Sequence, residues 1–245
     1  MGRGSGGSGS GVRAGKEQAL TQPHLAGSGF VTDSVNRYDA FFLQALPPVA
    51  ALIAQPALVE RWDSPSSLAK MSVGALACHL NRQITMAHLL LIHANDFPVL
   101  EGGADEHYAR AAWVTTTSPD DPENERSSYD QEALLGVDKL RETVVKAAAD
   151  VTAMIAGGKA NDAAGLPWQG WALQRDDFLL TRMLEVVVHS DDLALSLDVP
   201  TPEFPEVVFT PVVALLTRLA VRRNGQSAVI STLTRRERQR LISAF

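Results

Sequence analysis

Cysteine is almost absent. Cys78 is the only one in 245 residues, so no intrachain disulfide can form and nothing calls for an oxidising compartment. Excess positive charge is missing too. A net charge of -6 argues against general nucleic-acid binding, which needs a basic surface to displace counterions. The one basic concentration, Arg235-Arg236-Glu237-Arg238-Gln239-Arg240, is interrupted by a glutamate and reads as a solvated helix face. No unbroken apolar run suits a membrane. The longest uncharged stretch, residues 41–59, contains Pro47, Pro48, Pro56 and two glutamines, and reads as a buried or broken helix. The N-terminus is rich in Gly and Ser rather than apolar, so no signal peptide is visible and the cytoplasm is expected. A G-x-S-x-G nucleophile elbow is lacking, which leaves Ser/His/Asp hydrolysis without support. No internal repeat is visible, and strand signals are weak, at residues 228–233.

What is present is core material. Hydrophobic residues make up 45% of the chain and charged ones 20%, ample for a buried interior. Residues 1–29 form a low-complexity Gly/Ser-rich tail expected to be disordered. Its Gly4-Ser5-Gly6-Gly7-Ser8-Gly9 matches the dinucleotide fingerprint only formally, with no strand before it and no apolar helix after it. From Val31 the apolar spacing is mostly helical. A first helix is predicted from about Ser34 into the fifties, kinked or restarted at Pro47-Pro48. A second follows Ser72 as N-cap and carries His79, Leu80, Gln83, Ile84 and Met86. Asp96 to Tyr129 reads as a long polar connection, a length that is commonly functional. A third helix spans roughly Tyr129 to Ile155, closed by Gly157-Gly158. A loop bearing Trp168 and Trp171 leads to a fourth, from about Asp176 to Leu197. The expected architecture is all-α: a four-helix bundle over residues 30–200 and a short helical C-terminal extension over 201–245. Bundles of this kind build ligand and metal sites from inward-facing side chains.

On the fourth helix, Arg182, Glu185, His189 and Asp192 form a polar stripe at spacings of three, four and three. Positions i and i+4 share a helix face, so Glu185 and His189 can grip one ion, with His79 from the second helix as third ligand. Three protein ligands leave a coordination position open, as in catalytic zinc sites. The same stripe also reads as a solvent-facing face with ion pairs such as Arg182 with Glu185, and His79 as a hydrogen-bonded core histidine. Cys78, about 100° around the helix from His79, reads as a core residue. His88 and His93 lie off the His79 face, His107 falls in the long connection and His24 in the tail; all four rank lower.

Two motifs carry a resemblance. The first runs from Trp62-Asp63-Ser64-Pro65-Ser66 to Ser72-Val73-Gly74-Ala75-Leu76-Ala77-Cys78-His79-Leu80. The second is Arg182-Met183-Leu184-Glu185-Val186-Val187-Val188-His189-Ser190-Asp191-Asp192-Leu193. In that order they resemble the DinB-like superfamily, and more narrowly the N-terminal domain of the mycothiol-dependent maleylpyruvate isomerases, over roughly residues 31–199. The resemblance implies a four-helix bundle that binds a divalent metal, usually zinc, through the residues matching His79, Glu185 and His189. It also implies coupling of that metal to a low-molecular-weight thiol, mycothiol, for isomerisation or S-transfer. The isomerases carry a further C-terminal α/β domain for which residues 201–245 are too short, so maleylpyruvate itself is not the expected substrate.

A zinc-bound thiol is deprotonated near neutrality, and the thiolate is the reactive nucleophile. Asp192 is placed to tune His189 through an outer hydrogen bond. Arg182 is placed to anchor a carboxylate or a sugar hydroxyl. Trp168 and Trp171 either roof the pocket or simply pack a loop onto the bundle. Three function classes remain open at this point: a metal- and thiol-dependent transferase or isomerase acting on a small electrophile, a hydrolase using metal-activated water, and a non-catalytic metal- or ligand-binding bundle. The expected partners are a small thiol and an electrophilic substrate, with no nucleic acid and no membrane, in a monomer or homodimer.

Overall fold

Ser72 opens the helix that carries His79. Its hydroxyl accepts from the Ala75 backbone N–H at 3.1 Å, satisfying one of the amides that a helix N-terminus leaves unpaired. A computed structural model describes residues 1–2, 37–111, 114 and 127–245; the tail expected to be disordered falls almost wholly outside them. The described elements are α1 (Arg37–Ile53), α2 (Pro56–Glu60), α3 (Val73–Ile92), α4 (Gly103–Arg110), α5 (Ser127–Ala133) and α6 (Gly136–Ala156). They continue with β1 (Ala163–Leu166), β2 (Trp171–Gln174), α7 (Arg175–Leu197), α8 (Glu206–Asn224) and α9 (Gln226–Thr234). No helix among the described residues is long and apolar enough to cross a membrane.

Among the described residues the fold is helical apart from one antiparallel strand pair, β1 with β2. Four long helices make the bundle: α3 packs on α6 and α7, and α1 packs on the same two. The core is apolar, with Phe42 and Val49 of α1, Leu76, Leu80 and Ile84 of α3, Val151 of α6, and Phe178, Leu179 and Val186 of α7 all fully buried or nearly so. Each such side chain contributes about 1.5–3 kcal/mol on burial. That is the force holding α3 and α7 face to face. Val208, Val212, Leu215 and Leu219 of α8 join the same core.

The segment between α2 and α3 ties the two motifs together. The Gly74 N–H donates to the Trp62 carbonyl at 2.8 Å and the Val73 N–H to Ser64 at 2.9 Å, folding residues 62–72 back onto the start of α3. From that loop the Ser67 hydroxyl reaches the Asp192 carbonyl, and the Ser67 N–H reaches the Ser196 hydroxyl, each at 2.9 Å. The indole of Trp62 lies on Gly74 so closely that a Cβ there would sit 2.5 Å from its ring. Only glycine allows this contact.

Five expectations change. α1 runs through Pro47 and Pro48 as one helix, because Leu46, Val49, Leu52 and Ile53 on both sides are held in the core. The expected third helix is two, α5 and α6, separated where Gly136 takes a positive φ of 83°, a conformation that ends a right-handed helix. The long connection contains α4, and the loop bearing the two tryptophans belongs to the β1–β2 hairpin, Trp168 in its turn and Trp171 opening β2. Finally, residues 228–233 are helical, within α9. Their β-branched composition suggests a strand, but no neighbouring strand is there to pair with, and the segment lies instead against α8. The basic stretch at 235–240 is exposed, with a short 3-10 turn at Arg236–Arg238.

Candidate metal centre and adjoining cleft

Where α3 faces α7, His79 meets the Glu185–His189 pair. The Nε2 atoms of the two histidines are 2.9 Å apart, and His189 Nε2 is 3.2 Å from Glu185 Oε2. One ligand atom from each of the three residues lies within 4.8 Å of the other two. Ligands held at about 2.0–2.2 Å from a shared ion in a tetrahedron would be about 3.3–3.6 Å apart. Small side-chain rotations bridge that difference, so the donor set fits a divalent cation.

Each of the two α7 residues is oriented by an outer partner. His189 Nδ1 is 3.0 Å from Asp192 Oδ2. A carboxylate only accepts, so Nδ1 carries a proton, and it is Nε2 that presents a lone pair inward once the ring is neutral. On Glu185 the buried Tyr108 hydroxyl donates to Oε1 at 2.8 Å, leaving Oε2 towards the histidines. Burial opposes the charge on both groups, yet the pair overcomes it. Asp192 and Glu185 push His189 up to about 9. Hydrogen bonding and charge from His189, with Arg182 and Tyr108 adding to it, hold the Glu185 carboxyl below its ordinary range. Tyr129 of α5 stands edge-on to His79, with ring centroids 4.4 Å apart.

His79 and Glu185 also form one wall of a cleft of about 490 Å³ that Arg182, Gln83, His107 and Trp168 help to line. That is the size of a small-molecule site. Arg182 is fixed there: its Nη1 donates to Gln83 Oε1, its Nε to the Thr181 hydroxyl at 3.3 Å, and its guanidinium lies over the Phe178 ring.

Residues 43–194 match the family described as the mycothiol maleylpyruvate isomerase N-terminal domain. The chain belongs to that family, within the DinB-like superfamily. Comparison with curated proteins and with solved structures returns no match. The matched stretch of the isomerase-domain family runs from α1 almost to the end of α7. It therefore contains the whole triad and all the cleft residues named above.

Of the site residues expected from sequence, His79, Glu185, Arg182 and Trp168 face this cleft, Trp168 as an exposed ring on the hairpin turn. His189 does not line it but lies against His79. Asp192 lines a second cavity, with Val188 and Phe204. Trp171 stands behind the cleft wall, its indole N–H donating to His107 Nδ1 at 3.4 Å. Sequence reasoning passed over Tyr108 and Tyr129 and ranked His107 low. All three fall in or beside the stretch read as a polar connection, where the only signal is a His-Tyr pair inside a short acidic segment. Cys78 is buried in the core, and burial pushes its thiol up to about 12. It offers no thiolate at neutral pH.

Proposed function

We propose that the protein is a metal-dependent enzyme that uses a low-molecular-weight thiol of the mycothiol type to attack or isomerise a small electrophile. The observation that carries this reading is the convergence of His79, Glu185 and His189 at the wall of a small-molecule cleft, in a chain of the mycothiol isomerase-domain family. These three residues would hold the ion, with zinc the favoured identity for a nitrogen and carboxylate set with an open position. When bound, such an ion lowers the pKa of a coordinated thiol, so that the thiolate forms without a separate base.

The remaining roles belong to the chain's own side chains. Asp192 acts as a positioning residue, holding the His189 proton on Nδ1, and Tyr108 does the same for Glu185 through Oε1. Arg182, immobilised by Gln83 and Thr181, supplies a fixed positive charge to the cleft, suited to an anionic group on thiol or substrate. Trp168 gives the cleft mouth an apolar face on which a ligand can lie; Trp171 supports the wall from behind. The nucleophilic sulfur comes from outside the chain, because its sole cysteine is buried and protonated.

The test begins with elemental analysis of the purified protein. Electrophiles are then assayed with mycothiol, with a different thiol and with none. Turnover that needs the thiol is the expected result. Equal turnover in all three arms would replace this reading with a hydrolase using metal-activated water. A metal-loaded protein with no turnover in any arm would leave a binding bundle.

A further inference from the structure

His107 is nearly all buried, yet its ring reaches the cleft. Its Nδ1 accepts from the Trp171 indole N–H. Indole nitrogen can only donate, so Nδ1 carries no proton and the neutral ring must carry it on Nε2. That Nε2–H has no hydrogen-bond partner among the described residues, and the atom is not sealed in the interior. Trp171 occupies the far side of the ring, so the open nitrogen is turned towards the cleft. Burial, with the positive charge of Arg182 adding to it, brings the imidazole down to about 4. It therefore stays neutral at physiological pH and keeps this one tautomer.

A second donor in the same cleft is also unclaimed. Arg182 engages protein through Nε and Nη1 alone, leaving Nη2 without a partner among the described residues. Neither donor is sealed in the interior, so water can satisfy both until an acceptor oxygen of a ligand takes its place. Among the described residues Glu185 is the only carboxylate that lines the cleft, and its Oε1 already accepts from Tyr108.

We propose that His107, as a neutral Nε2–H donor oriented by Trp171, works with Arg182 to bind an oxygen of the substrate, a carboxylate or carbonyl, in the cleft beside the triad. This rests on the reading above only in taking the cleft as the place of reaction. The pair sets ligand class: an acceptor oxygen satisfies both donors, whereas an ammonium ligand would leave both unsatisfied and face Arg182 as a like charge.

Benzoate and benzylamine, alike in shape and opposite in charge, serve as probes, titrated into ion-free and zinc-treated full-length protein. Benzoate should bind in preference to benzylamine. His107→Phe should weaken benzoate binding about tenfold, the scale of one lost hydrogen bond, while His107→Gln, which keeps an N–H donor, recovers most of it. In the unmodified protein, ¹⁵N imidazole spectra should show His107 as the Nε2–H tautomer from about pH 5 to about pH 9, a range across which an ordinary histidine titrates. A protonated ring or an Nδ1–H tautomer at neutral pH would overturn the proposal. So would equal binding of the two probes, or a folded His107→Phe protein that binds benzoate unchanged. Because the ion-free arm needs no metal, a protein that takes up no zinc would defeat the metal reading while this result stands by itself.

Discussion

Replacing Tyr108 by Phe removes one oxygen and leaves the ring where it is. The hydroxyl is buried and donates to Glu185 Oε1 at 2.8 Å. The ring itself packs against His107 and Phe245, with centroids 5.2 Å away in each case, contacts that Phe preserves. A hydrogen bond to a charged group is worth about 1.5–3 kcal/mol. Loss of an outer partner of a metal-ligating group typically costs about 10–100-fold in metal affinity, or about 1.4–2.8 kcal/mol at about 1.4 kcal/mol per factor of ten. The two routes agree, so zinc affinity should fall by about one to two orders of magnitude. In the ion-free protein the variant should also melt a few degrees lower, since about 1 kcal/mol moves the midpoint by about 2–4 °C in a domain of this size. Competition against a chromophoric zinc chelator, beside thermal unfolding, measures both. A variant that melts cooperatively and binds zinc within about twofold of the parent, well short of the range above, would show that Tyr108 does not orient Glu185.

His189→Ala should abolish metal uptake while the cooperative thermal transition survives, because the bundle rests on apolar packing; full metal occupancy by elemental analysis would remove His189 from the ligand set. Gly74→Ala places a Cβ 2.5 Å from the Trp62 ring and should cost about 1–3 kcal/mol through overpacking, read as a lower melting temperature; an unchanged midpoint would mean that the 62–72 loop yields freely. Zinc binding should strengthen with pH. His189 is raised above the ordinary histidine range, to about 9, so at neutral pH the imidazolium must lose a proton before it can ligate. Apparent affinity should then rise about tenfold per pH unit from neutrality up to that value and level off above it. Calorimetry in two buffers of different ionisation enthalpy would detect the released proton, and pH-independent affinity would count against the His189 assignment.

The long helices were readable because each carries its own signals. Ser72 caps α3 as its position suggests, and the apolar rows of α3 and α7 are the ones buried. The spacing of Glu185, His189 and Asp192 gave their mutual placement, since helix geometry alone sets it. α4 was not readable. Its eight residues bury only Ala104, His107 and Tyr108, too few for a period to emerge, and its position is set by partners distant in sequence: the Ala104 N–H bonds to Asp177 and Arg218 pairs with Asp105. Likewise nothing local joins Trp171 to His107. α9 shows the opposite failure, with a local β preference overridden by helix packing. The site was thus legible where one helix built it and hidden where a third element closed it.

The triad has an uneven architecture in chain terms. Glu185 and His189 are one helical turn apart, so half the site exists as soon as α7 forms. His79 must arrive from 110 residues away. Closing a loop of that length costs about 4 kcal/mol in chain entropy on the (3/2)RT ln n scale, and the buried leucines of α3 and α7, with Phe178, offset it without help from any ion. On the proposed reading, an incoming cation would find its ligands already gathered, and its binding energy would not be consumed in folding the chain, unlike that of a zinc finger. Such a site would exchange its metal with the protein still folded, making occupancy a matter of supply rather than of synthesis.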